Sequence, residues 1–141
     1  MKAPRTPWLK NASLLFISLG LFWFSEDFSL ARFFEPQSIG WMLWFSYAKD
    51  LIQPFALYLF FCLGEKWLKT WQVRAGIAFS IPLLLEIFQF LYYRVAPTRY
   101  VGSFDPLDIL MYAMGVAIAV AIEQFVLAKA FPSQLLEHSS L

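Results

Sequence analysis

Apolar residues fall along this chain in long blocks of membrane length, not in the short alternations of a half-buried sheet. The first block, residues 8–24, stops at Ser25-Glu26-Asp27. The second, residues 39–64, is broken only by Lys49-Asp50, the third, residues 75–93, only by Glu86, and the fourth, residues 107–127, only by Asp108 and Glu123. A membrane-crossing helix needs about 20 mostly apolar residues. The pattern therefore predicts an all-α fold: an integral membrane bundle of four transmembrane helices, with spans at about 8–25, 47–66, 74–93 and 106–127. Only one crossing is needed within 39–64. It is placed at 47–66, and Trp41, Trp44 and Phe45 then form an interfacial aromatic segment before the second span, at a depth where such rings are favoured. Lys49 and Asp50 fall at the outer end of that span. Residues 1–131 read as a single transmembrane domain and 132–141 as a mobile tail.

The first block is short, and Lys2, Arg5 and Lys10 ahead of it resemble the start of a signal peptide. Phe22-Trp23-Phe24 fills the place where a small-x-small cleavage site would stand, so the segment reads as a retained anchor whose Lys10 snorkels toward the headgroups. Orientation follows from the loops. Lys2, Arg5, Lys10, Lys66, Lys69, Arg74 and Lys129 fall on one side, and Arg32, Lys49, Arg94 and Arg99 on the other. The richer side is expected to be cytoplasmic, which puts both the N and C termini there.

Composition agrees with a lipid setting. Of 141 residues, 60% are hydrophobic and only 15% charged, against about 25% charged in a soluble domain. A net charge of +1 with dispersed basic residues gives no footprint for nucleic acid. Cys62 is alone in an apolar run, and His138 is in the tail, so neither a thiolate metal cage nor a nucleophilic triad is expected.

The candidate chemistry lies where charge interrupts the later blocks. An unpaired carboxylate at the depth of Glu86 costs several kcal/mol, so Glu86 must be paired, protonated or water-facing. Gln89 and Tyr93 follow it at helical spacing, making one polar stripe. Asp105, Asp108, Tyr112, Gly115 and Ala119 form a second stripe on the next helix. A short connection makes the outer ends of these helices neighbours, with Arg94 and Arg99 above them. Plainer roles are available for several of these residues. Asp105-Pro106 reads as an N-cap followed by proline at the first helical position, with Asp108 adding charge at the helix start. Pro82 is expected to kink its helix. Gly115 with Ala119, and Ala113 with Ala117 and Ala121, read as helix-packing faces. Glu123 reads as interfacial.

Taken together, Glu86-x-x-Gln89 late in one apolar helix, an arginine in the following loop, and Asp105-x-x-Asp108 leading into a last helix with Gly115 resemble the VanZ-like membrane proteins. Where family members often carry asparagine four residues past the aspartate, this chain has Tyr112, the mark of a divergent member. The resemblance implies a multi-pass protein of the bacterial cytoplasmic (inner) membrane, and its namesake is linked to resistance to the glycopeptide teicoplanin. The candidate ligand-binding cluster is Glu86, Gln89, Arg99, Asp105, Asp108, Tyr112, Lys49, Asp50 and Arg94. Asp50, Glu86, Asp105 and Asp108 against Lys49, Arg94 and Arg99 is close to balance. That favours an ion-pair network over a divalent metal, so neither metal nor cofactor is expected. The expected partners are membrane lipids, with a lipid-linked cell-wall intermediate or a lipoglycopeptide as candidate ligands. Two alternatives stay open: a small membrane enzyme using paired carboxylates on a lipid-linked substrate, and a purely structural membrane protein.

Overall fold

A computed structural model of the chain describes residues 7–26, 38–43, 47–95 and 105–130, and all regular structure among them is helical. The helices are α1 (Pro7–Glu26), α2 (Ile39–Leu43), α3 (Lys49–Phe61), α4 (Trp71–Val95), α5 (Pro106–Ile122) and the short α6 (Ala128–Ala130). A 3₁₀ turn, Cys62–Gly64, ends α3, and a π-helical turn, Glu123–Leu127, joins α5 to α6. Local chemistry sets two of the helix starts. Asp105 has an extended backbone and its side chain accepts from the Leu107 N–H at 2.9 Å, with Pro106 opening the helix as the sequence predicts. Before α4, the Val73 N–H donates to the Thr70 hydroxyl. α4 then runs unbroken through Pro82.

Among the described residues three stretches are long and apolar enough to cross a membrane: Trp8–Ser25, Trp71–Tyr92 and Pro106–Ala130. They expose a broad apolar surface that includes Phe16, Leu84, Phe88 and Phe125, each more than 60% accessible. A water-soluble monomer does not present an apolar surface of that extent. The second predicted span differs from the other three. Its α-helical part has only 13 residues, running through Pro54 and tightening into the 3₁₀ turn at Cys62. Of the aromatic segment, Trp41 lies in α2, while Trp44 and Phe45 fall outside the described residues, as does the tail 132–141.

The shortest of the four principal helices is the one at the centre. α3 packs against α1, α4 and α5, most extensively against α5, and it buries Pro54, Ala56, Tyr58 and Leu59. α1 meets α3 through buried Leu14, Ser18 and Ser25. Both hydroxyls bond back to carbonyls of their own helix, so these small residues allow close packing without an unmet polar group. On the opposite flank, Gly115 of α5 faces the Leu51 carbonyl of α3. A Cβ at Gly115 would lie inside the van der Waals contact distance of that oxygen and 3.1 Å from Pro54 Cγ. Only a residue without a side chain permits this approach.

Contacts at the helix ends fix an up-down-up-down order. Lys10 near the start of α1 meets Glu65 beyond α3, and Arg74 near the start of α4 meets Glu123 at the end of α5. The start of α1 and the end of α5 therefore share one end of the bundle.

Candidate functional site

At the other end of the bundle, three helices each deliver a carboxyl group to one place. Asp50 comes from the first turn of α3, Glu86 from the second half of α4 and Asp108 from the first turn of α5. Asp50 lies near both Tyr112 and Asp108, and Asp108 lies near Glu86. Asp108 and Tyr112 are buried, and Asp50 and Glu86 half-buried. Carboxyl groups gathered in this way can accept from hydroxyl and ammonium donors. The local sequence explains the placement. Glu86 interrupts an apolar helix and must turn inward. Asp108 follows the Asp105-Pro106 cap by one turn, with its own N–H donating to the Asp105 carbonyl at 3.0 Å.

The remaining predicted site residues are Asp105, Gln89, Arg94, Lys49 and Arg99. Asp105 caps α5 and adds its charge to the field at Glu86 and Asp108. Gln89 lies half-buried on α4, one turn beyond Glu86. Arg94 is exposed, with its guanidinium carbon 5.1 Å from the centre of the Phe90 ring, a cation–π contact along its own helix. Lys49 is half-buried beside Asp50 at the start of α3. Arg99 falls outside the described residues.

A second polar layer, at the α1-start end, was not anticipated. Arg74 is 4% exposed, donates to the Leu68 carbonyl at 2.6 Å and pairs with Glu123, which also accepts from the Tyr58 hydroxyl. One guanidinium thus ties the α3–α4 turn to α5, and the phenol ties α3 to the same carboxylate. Lys10 and Glu65 pair nearby at 2.6 Å. Glu123 is therefore not a free interfacial acid. The rule applied to Glu86, that a charge facing the bundle needs a partner, would have found this layer if applied equally to Arg74 and Glu123. The two alanine stripes also part company. Ala119 is fully buried with Gly115, but Ala113, Ala117 and Ala121 are exposed and do not form a packing face within the bundle. Among the described residues no cluster of His, Cys, Asp and Glu has the arrangement of a metal site.

Comparison with protein-family models, with curated protein sequences and with solved structures finds no match to this chain.

Proposed function

We propose that this chain is a four-span, VanZ-like protein of the bacterial cytoplasmic membrane that binds an amphiphile at its outer carboxyl cluster. The span that adds to the three long apolar stretches, second in chain order, is α3 with its flanking turns. Helical from residue 47 to 64, it covers roughly 27 Å at the usual rise, close to the hydrocarbon thickness of a bilayer. Its packing against three neighbours replaces the apolar length that a lipid-facing helix would need. The end that carries Lys10, Lys66, Lys69, Arg74 and Lys129 is cytoplasmic by the positive-inside rule, so the carboxyl cluster faces outward. α1, packed on α3 through Leu14 and Ser18, is a retained anchor.

The observation that carries the reading is the convergence of Asp50, Glu86 and Asp108 from three helices, with Tyr112 beneath them. Acceptors gathered beside lipid suit an amphiphile whose head bears hydroxyl or ammonium groups: a lipid-linked cell-wall intermediate, a phospholipid headgroup or a lipoglycopeptide. Arg99 would hold an acidic part of the same head. Such capture would link the protein to glycopeptide resistance. The test is thermal unfolding of purified protein with and without teicoplanin. Stabilisation by the drug that disappears in the Asp50→Asn/Glu86→Gln double variant and in Arg99→Ala supports the reading. Equal stabilisation of wild type and all variants, or none at any concentration, overturns it.

A second reading rests on the Glu86–Asp108 carboxyl pair, the arrangement that acid/base catalysis uses. In that case Glu86→Gln abolishes turnover of a lipid-linked substrate while the unfolding midpoint stays put.

A further inference from the structure

A groove of about 490 Å³ runs between α4 and α5, lined by Trp71, Ala75, Gly76 and Phe79 on one side and by residues that include Ala113 and Ala117 on the other. Its lining is apolar throughout and small where Ala75, Gly76, Ala113 and Ala117 face it, so the groove stays open, and on a helix pair exposed to hydrocarbon an acyl chain fills it. The volume is in the range of small-molecule sites. At the end of the groove marked by Trp71, 43% exposed, the chain turns basic. Lys66 and Lys69 lie just ahead of α4, and Lys129 lies beyond α5. All three are exposed, as is Trp67 beside them at 91%. Their neighbours Lys10 and Arg74 are held by Glu65 and Glu123, so their charge is spent within the bundle, whereas Lys66, Lys69 and Lys129 face outward.

From this combination we infer that the α4–α5 groove is a binding site for an anionic phospholipid, with one acyl chain along Gly76 and Ala117 and the phosphate held at the Trp71 rim by Lys69 and Lys129. Alternating aromatic and basic side chains at the headgroup level match such a lipid: the rings sit among the headgroups and the ammonium groups take the phosphate. Charge selects this occupant over a second copy of the chain. A copy aligned in the same membrane would bring its own Lys66, Lys69 and Lys129 to the same depth and repel, while an anionic headgroup neutralises them. The site is separate from the carboxyl cluster and independent of its role.

The test uses the full chain in detergent and measures binding by native mass spectrometry with dioleoyl phosphatidylglycerol against dioleoyl phosphatidylcholine, which share acyl chains. Phosphatidylglycerol is expected to bind more tightly, by about fivefold for each lysine engaged. Lys69→Gln and Lys129→Gln each remove about that factor from the preference and leave phosphatidylcholine binding unchanged. Filling the groove with Ala117→Phe, or from the other wall with Gly76→Leu, abolishes retention of both lipids. Both positions are exposed, so an unaltered unfolding midpoint in lipid-free detergent verifies each fold. Equal affinity for the two lipids in wild type, undiminished preference in the lysine variants, or a wild-type dimer that Ala117→Phe dissociates would each overturn the assignment.

Discussion

The two ends of the bundle bury polar groups in opposite ways. At the end where α1 starts, each buried charge has an opposite charge in contact: Lys10 with Glu65, and Arg74 with Glu123, which Tyr58 also holds. At the other end Asp50, Glu86 and Asp108 meet one another and Tyr112. The first arrangement pairs its charges within the protein, with Arg74 Nε as its one buried donor left over among the described residues, and ties helices together. The second is a surplus of acceptors, which gains by taking an outside donor. Buried polar groups thus act as a fastening at one end of the bundle and as a candidate recognition surface at the other.

The largest expected effect lies at the fastened end. Arg74→Met leaves Glu123 largely buried with only the Tyr58 hydroxyl, and breaking a buried pair by removing one partner costs about 3 to 5 kcal/mol. Because Glu123 keeps one hydrogen bond and some exposure, the lower part of that range is expected. Unfolding by SDS titration in micelles measures it. Adding Glu123→Gln to Arg74→Met is expected to recover most of the loss, since no unpaired charge then remains. A single variant as stable as wild type would show that this end fastens nothing, and the contrast between the ends would vanish.

Between the ends lies the α3–α5 contact at Gly115. Gly115→Ala puts a methyl group against the Leu51 carbonyl and Pro54, where the nearest atoms are backbone and ring and cannot swing aside. A loss of about 1 to 3 kcal/mol is expected, the range for overpacking. Leu51 adjoins Asp50, so the same change moves the start of α3 relative to Asp108. Stabilisation by teicoplanin should therefore weaken in Gly115→Ala more than in Arg74→Met.

How much of this was legible in the sequence differs between the two ends. The carboxyl cluster could be anticipated because Glu86 and Asp108 interrupt apolar blocks, and a charge in such a place must find company. Asp105-Pro106 fixed the α5 start locally. The Arg74–Glu123–Tyr58 layer was harder. Arg74 and Glu123 lie near the ends of apolar blocks, where a charge can equally sit in the interface, and Glu123 is 49 residues from Arg74 and 65 from Tyr58. Hydropathy also missed the rank of the helices. It weighs apolar content, which a helix shows whether it faces lipid or protein, and so it could not mark α3 as the centre. For the same reason Ala113 and Ala117, read as a packing face, turned out to border an open groove. Small residues permit close approach without saying what approaches.

The smallest expected effect is the one that sharpens the contrast most. Asp50→Asn keeps an oxygen that can accept from Tyr112 and gains an amide that can donate to Asp108, while it removes one acid from a crowded place. Lost hydrogen-bond geometry and relieved crowding then offset each other, and a net change below about 1 kcal/mol is expected. Glu86→Gln should behave alike, since it too supplies an amide donor beside Asp108. Tolerance of both changes, beside a large loss in Arg74→Met, fits an end of the bundle arranged for something other than holding the fold. If Asp50→Asn and Glu86→Gln each cost as much as Arg74→Met, the carboxyl cluster is a second fastening that holds the helices together, and the surplus of acceptors needs no ligand to explain it.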